Sequence, residues 1–224
     1  MTAQTIIQSL ASGLLMGLLY GLIAVGLALI FGLMDVVNFA HGEFLMIAMY
    51  LTFFLFAFFA VDPLLAAPLV AAALFVFGAV VYLLIVRFAV RAKANTGMVQ
   101  IFSTFGLAIV MRGLAQFFFT PDYRSITHSW LGGKTISIAG IYLPVPQLVG
   151  ALVSIAAFVA LYFFINRTDF GRALEATRED AGAVALVGLA GAVMAMFFYI
   201  YPDVGASFAL IAYVTVALGG FCSV

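Results

Sequence analysis

The sequence predicts an all-α, polytopic integral membrane protein that forms a single domain over residues 1–224. Hydrophobic residues make up 67% of the chain and charged residues only 8%, whereas a soluble domain carries about 25% charged residues. The mean hydropathy is +1.27. Such a chain has too little polar surface to be soluble, and its apolar runs reach the length that a bilayer core requires, about 20 residues.

Five apolar runs predict five transmembrane helices, over residues 5–31, 44–61, 64–86, 97–119 and 145–165. No Lys or Arg precedes the first run, which is also too long for the apolar part of a signal peptide, so we interpret it as a retained helix. Its glycines at positions 13, 17 and 21 have the spacing typical of a face on which another helix packs.

The rest of the chain is harder to interpret. Residues 120–144 are expected to form a polar loop, and residues 166–182 are polar again. A further apolar run over residues 186–201 is about 15 residues long and too short to cross a membrane comfortably. Pro202-Asp203 is predicted to be an ordinary turn before a last apolar run at 207–218.

Two loops hold most of the positive charge, one after the third span and one after the fifth. They contain Arg87, Arg91 and Lys93, and Arg167, Arg172 and Arg178, respectively. By the positive-inside rule both loops are cytoplasmic, which places the N-terminus and the 120–144 loop outside.

A polar string, Asn38-Phe39-Ala40-His41-Gly42-Glu43, separates the first two spans. Residues 5–34 and 44–61 on either side contain no charge. Because an unpaired polar group in hydrocarbon costs several kcal/mol, the string must lie at an interface or face a protein-lined interior. Two roles stay open: Asn38 caps the second helix with Glu43 in its first turn, or His41 and Glu43 line a path beside a broken helix.

Two other polar features have open alternatives. Residues 168–188 read as a short charged helix, which is either a connector or a docking site for a soluble partner. Arg112, in the fourth span, either snorkels toward the helix end or faces a pathway.

No catalytic constellation is evident, so we expect a protein that is not an enzyme. The sequence has neither metal-ligand spacing nor a phosphate-binding G-x-x-x-x-G-K-[ST] loop. Its single cysteine, Cys222, excludes an intrachain disulfide. The net charge of zero gives no indication of a nucleic-acid partner, and we expect no metal or other cofactor.

Several segments, in order along the chain, resemble the permease subunits of branched-chain amino acid ABC importers, the LivH-like family. They are YGLIAVGL at 20–27, DVVNFAHGE at 35–43, GRALEATREDAGAVALVG at 171–188, LAG at 189–191 and VALGG at 216–220. The NFAHGE string is the most specific of them. The resemblance implies a permease-type helical bundle in the bacterial inner membrane.

The resemblance also implies partners and sites. The partners are a second permease subunit, in a homo- or heterodimer, two cytoplasmic ATPases that hydrolyse ATP, and a periplasmic amino-acid binding protein. A helix break beside the translocation path is implied at Asn38, His41, Gly42 and Glu43. Coupling to the ATPases is implied at Gly171, Arg172, Glu175, Ala176, Glu179, Asp180 and Gly188.

The chain departs from the family pattern at two places. About 20 residues, one span, are missing between Gly188 and Leu189, and the helices expected after Gly220 are absent, so we expect an incomplete domain. A urea or amide permease resembles these motifs as well. An ion-coupled secondary transporter is a third possibility, but it would need acidic residues near the middle of its spans, and Asp62, Asp122 and Asp203 stand in apparent turns.

Overall fold

Five helices in the computed structural model are long and apolar enough to cross a membrane: Gln4–Leu29, His41–Phe59, Pro63–Ala89, Thr96–Phe119 and Val145–Phe163. They coincide with the five predicted spans to within a few residues, which confirms a polytopic helical membrane protein. The structure describes residues 3–34, 38–90, 92, 95–126, 129–138, 140–167 and 181–219.

Eight α-helices and one β-hairpin make up the described part of the chain. The elements are α1 (Ala3–Met34), α2 (His41–Phe59), α3 (Pro63–Val81), a π-helical turn (Tyr82–Val86), α4 (Arg87–Val90), α5 (Thr96–Phe119), β1 (Thr135–Ile138), β2 (Ile141–Pro144), α6 (Val145–Arg167), α7 (Ala181–Met194) and α8 (Val204–Gly219). The third span combines α3, the π-helical turn and most of α4.

The predicted polar loop at 120–144 contains a hairpin that the sequence analysis missed. Strands β1 and β2 pair antiparallel, and the amides of two α1 glutamines bind the hairpin. Gln4 Nε2 donates to the carbonyl of Gly140 (2.7 Å). Gln8 exchanges two hydrogen bonds of 2.7 Å with the backbone of Tyr142. The start of α1 therefore lies at the same end of the bundle as the hairpin, which we call the hairpin end.

Two further connections meet at the hairpin end. Asp62 caps α3 by accepting from the backbone N–H of Leu64 (3.1 Å), and its second oxygen accepts from the N–H of Trp130 (2.8 Å). The backbones of Arg124 and Ile200 exchange two hydrogen bonds of 2.9 and 2.8 Å. The α2–α3 turn and the α7–α8 connection are therefore both attached to the segment that follows α5.

Helix α7 lies inside the bundle. It packs against α1, α2 and α3, and most of its described side chains, such as Val187 and Met194, are fully buried. It comprises 14 residues, which agrees with the prediction that this apolar run is too short to span a bilayer. A helix surrounded by other helices has its polar ends covered by protein and need not match the bilayer thickness.

Glycines allow this dense packing, but not where the α1 pattern predicted it. A Cβ on Gly191 would overlap the Cβ of Ala48 and lie 3.0 Å from the carbonyl oxygen of Leu45. In α1, Gly21 packs against Phe158, and Gly26 packs against Val187 and His41. The predicted packing face is wrong for Gly13 and Gly17 within the described residues, because nothing lies within 4 Å of a Cβ built at either position.

We predict that Gly191→Ala destabilises the protein, because overpacking a tight helix contact costs about 1–3 kcal/mol. Gly106→Ala is the matched control: Gly106 is also inside a helix, but a Cβ added there would have none of the described atoms within 4 Å. It should be neutral or slightly stabilising. Thermal unfolding in detergent measures both, and equal melting temperatures would contradict the packing assignment.

Candidate functional site

Helix α2 begins beside the interior of α1 rather than at its end. The Nε2 atom of His41, the first residue of α2, lies 3.1 Å from the carbonyl oxygen of Ile23, and His41 is fully buried. Ile23 precedes the end of α1 at Met34 by about 17 Å along the helix axis. The chain therefore returns into the bundle before α2 starts, and we call residues 38–43 the re-entrant turn.

Side chains and backbone from two other helices hold the re-entrant turn. The hydroxyl of Tyr213 in α8 donates to the carbonyl of Asn38 (2.7 Å), and the N–H of Phe39 donates to Oγ1 of Thr104 in α5 (3.3 Å). Asn38 is buried, and its Oδ1 accepts from the N–H of Ala40 (3.0 Å). The predicted capping of α2 by Asn38 is wrong, because Ala40 is the N-cap residue and Asn38 stabilises the turn before it.

Gly42 brings the backbone of α2 against that of α8. A Cβ at this position would overlap the carbonyl group of Gly205, and a Cβ on Gly205 would lie 2.5 Å from the carbonyl oxygen of Gly42. The two helices can approach this closely only because both residues lack a side chain. Glycine at position 42 therefore allows the close backbone approach through which the re-entrant turn reaches α8.

Glu43 forms an ion pair with Arg112 of α5. Its Oε1 accepts a hydrogen bond of 2.6 Å from Nη2 of Arg112, and its side chain is only 2% exposed. Glu43 lies in the first turn of α2, as predicted, where the carboxylate also meets the positive end of the helix dipole. Arg112 binds this buried partner while its side chain stays 35% exposed, so the snorkelling and pathway alternatives both stay predictions.

Asp203 is the third member of this group. Its Oδ1 lies 3.5 Å from Nε of Arg112, and it immediately precedes α8. Pro202-Asp203 is therefore a turn, as predicted, but its carboxylate also joins the charged site. We call Glu43, Arg112 and Asp203 the charge cluster; it joins α2, α5 and the start of α8.

The charge cluster is only partly satisfied by hydrogen bonds. Oε2 of Glu43 and Nε of Arg112 are buried and have no hydrogen-bond partner among the described residues. The same holds for Nδ1 of His41. A buried polar atom without a partner costs about 1–3 kcal/mol. The cluster also has two carboxylates for one guanidinium, so it can accept a further cationic group or N–H donor.

The sequence predicted the residues of the re-entrant turn but not the partners that hold it. Arg112, Asp203, Thr104 and Tyr213 were not assigned to a site with it. One signal was available for Arg112: a charge inside a span is rare and usually has a partner of opposite sign. The neighbouring spans offer few acidic residues at their boundaries, and Glu43 is one of them.

Of the predicted coupling residues, the structure describes only Gly188. Gly171, Arg172, Glu175, Ala176, Glu179 and Asp180 lie outside the described residues. Gly188 is buried on α7, where a Cβ would lie 2.9 Å from Cα of Ala71 in α3. Gly188 therefore allows α7 to pack closely against α3. Because it is buried there, Gly188 cannot contact a separate protein.

Comparisons with known proteins agree on one family. A family model described as "Branched-chain amino acid transport system / permease component" matches residues 9–190. The high-affinity branched-chain amino acid transport system permease protein BraD of Pseudomonas aeruginosa is 29% identical over 95% of this chain and 71% of its own length. The corresponding LivH protein of Escherichia coli K12 is 30% identical over 97% of this chain and 72% of its own length. No solved structure matches the chain significantly.

We predict that Arg112→Gln destabilises the protein more than the double change Glu43→Gln/Arg112→Gln. Removing only the guanidinium leaves a buried carboxylate unpaired, which costs about 3–5 kcal/mol, whereas replacing both members removes the charge altogether. Lys134→Gln, which removes an exposed cation at the hairpin end, is the control and should change little. Thermal melts in detergent compare Arg112→Gln, Glu43→Gln and the double variant. If the losses of the two single variants add up to that of the double variant, the pairing is contradicted.

Proposed function

Since the chain belongs to the family of permease components of branched-chain amino acid transport systems, we propose that it is the membrane-spanning subunit of an ATP-driven importer for leucine, isoleucine and valine. It would act in the bacterial inner membrane as one transmembrane permease domain. The observation that carries the proposal is the re-entrant turn: its residues match the most specific family motif, and they place a buried carboxylate and imidazole inside the helix bundle.

The residues of the re-entrant turn would border the translocation path. Asn38, His41 and Gly42 are occupied by contacts to their own backbone, α1 and α8, so they support the broken helix end. Glu43 holds Arg112, whose side chain is 35% exposed, at the margin of the bundle. In this arrangement Arg112 and Asp203 face the path. The four residues of the re-entrant turn, Asn38, His41, Gly42 and Glu43, hold them in position.

ATP hydrolysis would be supplied by two cytoplasmic ATPase subunits, because the sequence carries no P-loop. A second permease subunit and a soluble amino-acid binding protein would complete the system. We propose that residues 171–180, the charged segment after the fifth span, contact the ATPases. Gly188 anchors the adjoining helix α7 against α3 instead of making that contact.

The alternatives make different demands on the same residues. An ion-coupled transporter needs a carboxylate free to bind its ion, whereas Glu43 is hydrogen-bonded to Arg112 at 2.6 Å and Asp203 lies 3.5 Å from the same guanidinium. A urea permease shares the motifs but carries a neutral substrate, so transport assays with both substrates separate it from the amino-acid permease.

We predict leucine uptake without urea uptake in cells that express the full transport system and lack other leucine importers. The paired change Glu179→Lys/Asp180→Lys should reduce leucine uptake to near background, because it reverses two charges in the proposed ATPase contact. Radiolabelled uptake measures this, and immunoblots of membranes verify equal insertion.

The control is Asp122→Lys, a charge reversal at an exposed residue of the hairpin end, far along the chain from the coupling segment. It should retain most of the leucine uptake. Urea uptake by the unaltered protein would overturn the amino-acid assignment, and normal leucine uptake in the Glu179/Asp180 variant would overturn the coupling assignment alone.

The orientation follows from the distribution of cations between the two ends of the bundle. At the hairpin end, Arg124 donates to the carbonyl of Phe119 (2.6 Å) and lies over the ring of Phe53, and Lys134 is exposed. Exposed Arg87 and Arg167 lie toward the opposite end, and the other basic residues of their loops follow them closely in the sequence. We therefore propose that the hairpin end faces outward and the opposite end faces the cytoplasm.

We predict that Ser137→Cys, at an exposed position of β1, reacts with an impermeant thiol reagent added to intact cells. Asn95→Cys, an exposed position before α5, should react only after the membrane is permeabilised. Both variants are made on a Cys222→Ser background so that the native thiol does not contribute. The reverse labelling pattern would overturn the proposed orientation.

A further inference from the structure

One guanidinium in the charge cluster faces two carboxylates in different environments. Arg112 makes its hydrogen bond to Glu43, which is 2% exposed, while Asp203 is 56% exposed and 3.5 Å away from Nε. At that distance the contact to Asp203 is electrostatic but is not a hydrogen bond. Asp203 is thus a carboxylate beside a cation that is already engaged by Glu43, and Nε of Arg112 has no hydrogen-bond partner among the described residues.

The exposed parts of Arg112 and Asp203 cannot face lipid. Arg112 lies about 10 Å from the end of α5 at Phe119, within the depth of a bilayer. An aspartate facing hydrocarbon costs about 2.5–3.5 kcal/mol on insertion scales, more than its contact with one partly exposed guanidinium returns. This edge of the bundle therefore borders water or protein. It lies deep in the bundle, because Glu43, the partner of Arg112, precedes the end of α2 at Phe59 by about 24 Å along the helix axis.

We propose that Arg112 and Asp203 form a binding site for the zwitterionic head group of an amino acid, inside the path and beside the re-entrant turn. The substrate carboxylate binds the guanidinium of Arg112, and the substrate ammonium binds the carboxylate of Asp203. Glu43 holds the guanidinium in place from the buried side. The proposal rests on the proposed function, since it assigns the substrate's charged groups to residues of that same site.

The three groups of the charge cluster offer a partner to each of the two charges of a zwitterion. An arginine fork presents several N–H donors to a carboxylate, so Arg112 can bind Glu43 and a second carboxylate on different nitrogens. With Glu43 and Arg112 neutralising each other, Asp203 supplies the one uncompensated charge of the cluster. A zwitterion adds an ammonium for Asp203 and a carboxylate for Arg112 without adding net charge to the site.

The test uses the complete permease complex in nanodiscs, without the soluble binding protein, and three probes. Leucine carries both charges, 4-methylpentanoate lacks the ammonium, and leucinamide lacks the carboxylate. In the unaltered complex, leucine should bind about tenfold or more tightly than either analogue, as expected for losing a charged hydrogen bond. Titration calorimetry measures the three dissociation constants.

Asp203→Asn is the decisive variant. It should weaken leucine binding by about tenfold or more but leave 4-methylpentanoate nearly unchanged, so that the preference for leucine over this analogue disappears. A purely structural loss would weaken both ligands together. Asn also remains a good residue before a helix, so α8 should persist. Asp203→Glu should recover part of the preference, and Asp122→Asn, at an exposed aspartate outside the charge cluster, should retain all of it.

Two failures are distinguishable. If the unaltered protein transports leucine but shows no saturable leucine binding, or if Asp203→Asn keeps the preference over 4-methylpentanoate, the site is wrong and the proposed function stands. If the unaltered protein transports urea and not leucine, the proposed function fails together with the zwitterion site. Loss of binding for all three probes in Asp203→Asn would also reject the site, because it indicates a structural role.

Discussion

The ion pair between Glu43 and Arg112 is the constraint on which the centre of this membrane protein depends. A carboxylate that is 2% exposed within a helix bundle is stable only beside a cation, and the 2.6 Å hydrogen bond supplies it. The pair fixes the first turn of α2 against α5. Because α2 starts there and not at the end of its neighbours, the position of the re-entrant turn follows from the pair as well.

Close helix packing surrounds this polar centre and removes the need for lipid contact. Gly42 meets Gly205 where α2 crosses α8, and Gly188 and Gly191 set α7 against α3 and α2. In a bilayer, where apolar burial drives association weakly, such close backbone contacts provide much of the cohesion between helices. Rigid packing of this kind keeps Arg112 within reach of both Glu43 and Asp203.

The sequence predicted the features that depend on local composition. The five spans follow from the length of uninterrupted apolar runs, and the buried polar string follows from the cost of charge in hydrocarbon. Features that depend on distant pairing were missed. Arg112 could be assigned a partner only once α2 and α5 were placed side by side, and the hairpin strands are four residues each, too short for a clear alternating pattern. The N-cap of α2 was predicted at Asn38, two residues before its actual position at Ala40.

The separation of Glu43 and Arg112 along the chain also constrains biosynthesis. The two residues are 69 positions apart, so Glu43 emerges from the ribosome and reaches the membrane well before its cation has been made. Until α5 arrives, the carboxylate must remain in water, stay within the protein-conducting channel or carry a proton. Helix α2 can therefore enter lipid before α5 only with Glu43 protonated or still in contact with water, and the ion pair forms only after the fourth span has been made.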